Sequence, residues 1–217
     1  ACAVNHQIGL VNLVVSGLAL HRVNDLPGAL IQIRRALRPD GLFMAAALGS
    51  RSLHELRQSL IEAEAELHGG ASPRVAPFAD VREYGALLQR AGFALPVTDA
   101  ELLTVTYPSP RELMREIRAL GGGNVMAARR KMPLPRGTLE RAEEIYSERH
   151  TTPGGKIAAS FEIVYLAGWA PDASQQKPLA PGSANARLAD ALHTTEHSAG
   201  DKAAFPATKK SKWDPET

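Results

Sequence analysis

Hydrophobic positions along the chain follow two rhythms, one continuous and one helical. Leu10 to Ser16 (LVNLVVS) is an almost unbroken apolar run rich in valine, the pattern of a strand buried on both faces. Gly17 to Asn24 reads as a loop. Asp25 then caps a helix in which Leu26, Ala29, Leu30, Ile33 and Leu37 recur at helical spacing, with Pro27 tolerated in the first turn. Arg34, Arg35 and Arg38 sit at its C-terminal end, where the helix dipole favours cations. Pro39-Asp40-Gly41 predicts a turn and Leu42 to Leu48 a second buried strand. Strand, helix, turn and strand in so short a stretch make one right-handed βαβ crossover.

The pattern continues with a helix marked by Leu53, Leu56, Leu60 and Leu67, acidic at Glu62, Glu64 and Glu66 and ended by Gly69-Gly70. Asp80 and Glu83 form a capping box for the next helix, with Val81, Tyr84, Leu87 and Leu88 on its buried face and Gly92 as its stop. Leu102 to Tyr107 alternates β-branched residues and predicts a third strand. Ser109-Pro110-Arg111-Glu112 opens a helix running to about Leu120, and Gly121 to Asn124 closes it. A helix over Thr138 to Arg149 and a fourth strand over Phe161 to Trp169 complete the pattern. From Pro171 the composition turns to Gln, Pro, Ser, Ala and Gly, and beyond His193 apolar periodicity is gone, which predicts a disordered tail over 193–217.

Composition narrows the function classes. With 25 Lys+Arg against 23 Asp+Glu the formal charge is +2, which argues against a nucleic-acid binder. No apolar run approaches the ~20 residues that span a bilayer. Cys2 is the one cysteine of 217 residues, which excludes an internal disulfide framework and points to a reducing compartment, the cytoplasm by default. Ala1 to Gly9 lacks the basic start and cleavage pattern of a secretory signal.

Candidate chemistry is sparse. The Gly121–Asn124 stretch lacks a phosphate-loop lysine and follows a helix, so it reads as a helix terminator. None of the seven histidines has metal-site spacing, and His54 and His68 read as solvated. Cys2 lacks a partner set, a nucleophile elbow is absent, and Arg129-Arg130-Lys131 reads as a solvated basic run. These observations predict no metal site and name no catalytic residue. The informative segment is the loop after the first strand, because open α/β sheets bind ligands at the carboxyl ends of their strands. There His21 either serves as a hydrogen-bonding group or base, or is solvated while Leu18, Leu20 and Val23 pack the loop down.

The run LVVSGLALHRVNDLPGALIQIRRALRPDGLFMAAALG resembles the fourth strand, following helix and fifth strand of class I S-adenosylmethionine-dependent methyltransferases. LHELRQSL, GGASPRVAPFADVREYGALLQRAGF and SQQKPLAPGSA resemble one branch of that superfamily. The branch holds the biotin-synthesis malonyl-carrier-protein methyltransferase and the mitochondrial complex I assembly factor 5. The resemblance covers Leu10 to Leu192. It implies an α/β fold equal to the C-terminal half of a Rossmann-like methyltransferase, with helices on both faces. Its sheet would be mostly parallel, with the last strand inserted antiparallel. Residues 1–170 would form the partial domain, with a helical cover over about 50–150, and 171–192 a family segment.

The cofactor implied is S-adenosylmethionine, held here by Ser16, Gly17, Leu18, Ala19 and His21, which match the loop after the fourth strand. The glycine-rich loop after the first family strand and the acidic residue ending the second, which hold the cofactor's methionine and ribose, have no counterpart in the chain. Asn12 stands where relatives carry Asp, and Arg22 where they carry Trp, removing a large packing surface. The function implied is a methyltransferase-family member with impaired cofactor binding. The alternatives are a respiratory complex I assembly factor, hydroxylating an arginine on a subunit, or an inactive truncated chain. A complex I subunit or a carrier protein is the implied partner, in the bacterial cytoplasm or on the matrix side of a eukaryote's mitochondria. A fold beginning at this strand would leave its edge unpaired and open to self-association.

Overall fold

The computed structural model describes residues 10–124, 126, 129–130, 132–176, 190 and 192–195. The chain divides into Ala1–Gln175 and Gln176–Thr217. In the second unit the described residues form a turn in which the His193 N–H donates to the Asp190 carbonyl. Most of the expected tail and of the SQQKPLAPGSA segment lies outside the described residues.

The first unit is built on four strands: β1 (Val11–Gly17), β2 (Leu37–Leu48), β3 (Ala94–Tyr107) and β4 (Ile157–Trp169). Their order in the sheet is β1-β2-β4-β3. β1 runs parallel to β2, while β4 is antiparallel to both β2 and β3. Three strands therefore share one direction, and the last in sequence is inserted between two of them, as expected.

The helices begin and end where local chemistry dictates. α1 (Leu26–Ala36) is capped by Asp25, whose carboxylate accepts the Gly28 N–H at 2.9 Å. α2 (His54–His68) stops at Gly69, which adopts the left-handed conformation. α3 (Val81–Ala91) opens with the reciprocal Asp80/Glu83 capping box and stops at Gly92. α4 (Pro110–Ala119) has Ser109 as its cap, and α5 (Arg136–His150) follows. The expected turn at Pro39-Asp40-Gly41 is absent. α1 passes directly into β2, and Asp40 and Gly41 exchange main-chain bonds with Ala170 at the far end of β4. Ladder bonds to β4 thus displaced the local turn preference. β3 likewise starts eight residues before the apolar run that announced it, because β4 offers pairing along its full length.

Two apolar clusters hold these elements. In the first, Phe43, Ala45, Ala47, Val164 and Leu166 of the sheet pack against Leu30 of α1 and Tyr84 and Leu88 of α3. Phe43 stacks on Phe93 with ring centroids 5.2 Å apart. Gly168 makes this possible, since a Cβ there would press on the Phe93 ring. In the second, Leu56 and Leu60 of α2, Leu113 of α4 and Ile145 and Tyr146 of α5 pack against Tyr107, Ile157 and Ala159. Glu62 and Glu66 of α2 are tied to Arg149 and Arg141 of α5. Glu64, the third acidic residue of this row, is buried. Burial works to raise its carboxyl pKa, but Ser72 and Arg74 outweigh that and hold it below the ordinary value.

Helices stand on both faces, as expected, but unevenly. α1 and α3 cover the Phe43 face. The opposite face is covered at the Ile157–Phe161 end, and among the described residues nothing covers Leu13, Val15, Met44 and Val97. The valine-rich first strand, whose composition suits a central position, is an edge.

The packing makes a contrast measurable by chemical denaturation. Phe43→Ala removes a fully buried ring and should cost about 3–5 kcal/mol. Val105→Ala, on the exposed part of β3, should cost about 0.5 kcal/mol or less. Equal losses would contradict the assignment of the first cluster as the core.

Candidate functional site at the carboxyl ends of the first two strands

The loop after β1 is fixed by its own main chain. The Leu18 N–H donates to the Ala46 carbonyl at 2.8 Å, continuing the ladder one residue past Gly17. Leu18 itself has φ 47°, a conformation that costs a branched residue on the order of 1–2 kcal/mol. The chain then enters a 3₁₀ turn over Leu20–Arg22, closed by the Arg22 and Val23 N–H groups donating to the Ala19 and Leu20 carbonyls. Leu20 is buried in the first cluster and anchors the turn, while Gly17, Leu18 and Ala19 stay exposed. Among the described residues nothing lies within 4 Å of where a Cβ on Gly17 would be, so a ligand can approach the backbone there.

His21 is the polar centre of this loop. Its Nδ1 accepts the Leu48 N–H at 3.5 Å, and its ring meets Phe78 edge-on at 5.5 Å between centroids. With Nδ1 assigned as acceptor, the neutral ring carries its proton on Nε2. Burial, and secondarily the Arg22 charge, hold its pKa below 6.5. The imidazole is therefore neutral near pH 7, able to donate from Nε2 but holding no charge for an anion. Arg22 lies beside Gly121, past the C-terminus of α4, where the dipole favours a cation.

The neighbouring wall comes from the end of β2. The Leu48 carbonyl accepts the Tyr84 hydroxyl at 3.2 Å, so α3 and the β1 loop grip the same residue from two sides. The Tyr84 hydroxyl is pushed up to about 12, first by burial and then by Glu83. Beyond it, the Gly49 N–H donates to the Glu162 carbonyl at 2.8 Å, and the Glu162 carboxylate accepts the Arg51 N–H at 3.0 Å. The Ser52 hydroxyl donates to the Glu162 carbonyl at 3.1 Å and accepts its N–H at 3.0 Å. Gly49 is required, because a Cβ there would fall inside the Glu162 carboxylate. Arg57 of α2 donates to the carbonyls of Ser52, Ser50 and Ala76, and burial lowers its pKa.

The five residues expected in the site, Ser16, Gly17, Leu18, Ala19 and His21, thus fall within one strand end and one turn. Four line the loop surface, while Ser16 pairs with Ala45 and is half-buried on the α1/α3 side. Sequence reasoning missed Phe78, Arg57 and Glu162. Glu162 had a signal, as the one charge inside the apolar run Phe161–Trp169. Arg57 and Phe78 had none, because their contacts join segments far apart in sequence. A shallow concavity lined by Tyr107, Pro108, Glu112, Arg115 and Glu116 shares no residue with this site.

No protein-family model matches the chain. Among curated proteins it is similar to arginine-hydroxylase NDUFAF5 of Danio rerio, 44% identical over 179 residues, covering 82% of this chain and 56% of that one. The Homo sapiens protein of the same name is 44% identical over 173 residues, covering 80% and 50%. Malonyl-(acyl-carrier protein) O-methyltransferase of Halorhodospira halophila is 38% identical over 165 residues, covering 76% and 54%. The chain spans about half the length of the curated relatives it matches. Among solved structures, the YcgJ protein of Bacillus subtilis superposes with a TM-score of 0.45 at 12% identity, covering 74% of this chain and 64% of that one.

Two predictions come from this geometry. The unfolded chain binds a proton at His21 near pH 6.5 and the folded chain only below that, so protonation favours unfolding. Stability is full above about pH 6.5 and falls as pH drops toward the folded pKa. His150, also held low by burial, acts in the same sense. Denaturant curves at pH 7.5 and pH 5.5 should show a smaller acid loss in His21→Gln than in the parent; an equal loss would contradict a buried neutral His21. Gly49→Ala should displace the Glu162 carboxylate and lower the stability by about 1–3 kcal/mol, whereas an unchanged denaturation midpoint would contradict the close approach.

Proposed function

The chain belongs to the branch of class I methyltransferase relatives that contains the arginine-hydroxylases and the malonyl-(acyl-carrier protein) O-methyltransferases, and we propose that its β1 loop forms one wall of an S-adenosylmethionine site. The observation that carries this reading is the strained, main-chain-locked turn from Gly17 to Arg22 at the carboxyl end of β1.

The residues present fit one side of such a group. Gly17 leaves the backbone open to close approach, Leu18 offers an exposed apolar surface, and neutral His21 offers an Nε2 donor without repelling a sulfonium cation. When bound, that cofactor supplies an electrophilic methyl group for in-line displacement by an acceptor. The chain's own contribution is to orient: the Leu48 main chain fixes His21, and Phe78 shields its ring from water. No side chain at this wall is a nucleophile. These groups make one side of the site only, so the affinity of this wall by itself is weak.

A second reading has its own support. The arginine-hydroxylase relatives are 39–44% identical to the chain, against 35–38% for the methyltransferases. That difference favours a role in assembling respiratory complex I, with an arginine of a complex I subunit as the substrate instead of the malonyl carboxylate of a carrier protein. In a eukaryote this reading puts the chain on the matrix side of the mitochondrion, and in a bacterium in the cytoplasm.

Calorimetric titration of the purified chain with S-adenosylmethionine, and separately with S-adenosylhomocysteine, tests the cofactor reading. One wall should give a dissociation constant of about 1 mM, worth ~4 kcal/mol. Micromolar binding, worth ~8 kcal/mol, would overturn the view that the site needs groups this chain lacks.

A further inference from the structure

Gly70 to Ala79 crosses from the end of α2 to the start of α3 without helix or strand. Among the described residues no main-chain hydrogen bond ties this segment to the rest of the chain; side chains hold it instead. The Glu64 carboxylate accepts the Ser72 N–H at 2.6 Å, the Ser72 hydroxyl at 2.7 Å and the Arg74 Nε–H at 2.8 Å. The Asn124 amide donates to the Pro73 and Arg74 carbonyls at 2.7 and 3.1 Å, and its oxygen accepts the Met126 N–H at 3.0 Å. Arg57 donates to the Ala76 carbonyl at 3.5 Å.

The segment touches both apolar clusters and the site. Val75 packs against the second cluster and Ala79 against the first, while Phe78 meets the His21 ring edge-on. The Glu64–Arg74 pair is the innermost of its anchors, with side chains 1% and 13% exposed. At one end of the segment Gly69 takes a left-handed turn, and at the other the Asp80 capping box fixes the start of α3. A segment without ladder bonds opens as a unit when its side-chain anchors release.

We propose that Glu64 and Arg74 are positioning residues for the β1 site: they latch the segment 70–79 as a strap, the strap seats Phe78 on His21, and release of the latch uncovers that ring. Glu64 reaches His21 through the strap and not through its charge. The charge acting on His21 is that of Arg22, in its own turn; α3 supplies the Tyr84 hydroxyl on the other side of Leu48, and the strap supplies the uncharged Phe78 ring. The benefit to a cofactor rests on the wall proposed above, whereas the coupling of Glu64 to His21 is measurable without ligand.

NMR titration of the His21 imidazole in the full chain, assigned through His21→Gln, tests that coupling. Glu64→Gln should free the strap, let water reach the ring and raise the His21 pKa toward 6.5. Loss of the Glu64 charge acting directly would lower it, so the sign separates the two routes. Exchange of the Ser72 amide should be several-fold faster in the same variant. Asn124→Ala removes two strap bonds and leaves the buried pair intact; it should move His21 the same way, and it decides the matter if Glu64→Gln does not fold. In Phe78→Ala the His21 pKa should already be raised, and Glu64→Gln on that background should add nothing. Glu62→Gln, on the same helix but paired with Arg149, should leave His21 unmoved. A His21 unmoved or lowered in folded Glu64→Gln, or unmoved in Asn124→Ala, would overturn the proposal. So would a full further rise on the Phe78→Ala background. None of these outcomes involves ligand, so the cofactor reading stands or falls separately, on titration with S-adenosylhomocysteine.

Discussion

The insertion of β4 antiparallel between β2 and β3 is the constraint on which the rest depends. β2 and β3 run in the same direction but do not touch, and every ladder bond joining the two halves of the sheet passes through β4. One stretch of that strand, Val164 and Leu166, belongs to the cluster under α1 and α3. Another, Ile157 and Ala159, belongs to the cluster under α2, α4 and α5. Between them lie Ser160 and Glu162, whose polar groups bind the start of α2. Ser160 is held through its hydroxyl and N–H by the buried Glu55 carboxylate, and Glu162 through Ser52 and Arg51. Both carboxylates are satisfied by hydrogen bonds, which is what makes their burial tolerable.

The candidate site inherits its geometry from that arrangement. Glu162 sets the backbone of the turn after β2, and with it the position of Leu48. The Leu48 N–H then orients His21, and its carbonyl takes the Tyr84 hydroxyl. The β1 loop contributes strain at Leu18 and an anchor at Leu20, so the exposed residues between them are presented on a rigid turn. The groups of this wall orient and shield: His21 is neutral, Arg57 is committed to main-chain carbonyls and the Glu162 carboxylate to a main-chain N–H.

Much of this was legible in the sequence where one segment decides its own fate. The caps at Asp25, Asp80 and Ser109 and the stops at Gly69 and Gly92 work through residues three or four apart, and they fall where local chemistry put them. The loop from Ser16 to His21 was legible through its position after an apolar strand and through resemblance. What local pattern does not contain is pairing. Pro39-Asp40-Gly41 reads as a turn until Ala170 offers it ladder bonds, and the apolar run announces β3 only from Leu102, although β4 pairs with it from Ala94. Glu64 reads as one of three acidic residues on its helix, and nothing local shows that Arg74, ten residues on, folds back over it. The third wall of His21, Phe78, belongs to the same class of long-range contact.

The central claim is that the turn from Gly17 to Arg22, together with the end of β2, is where this chain meets its cofactor. Two-dimensional NMR of isotopically labelled chain, titrated with S-adenosylhomocysteine, tests it most directly. The account predicts amide shifts concentrated at Gly17 to Arg22 and at Leu48 to Ser52, half-saturating at about 1 mM. Shifts centred on Tyr107 to Ala119, or none at the β1 loop at several millimolar ligand, would contradict it.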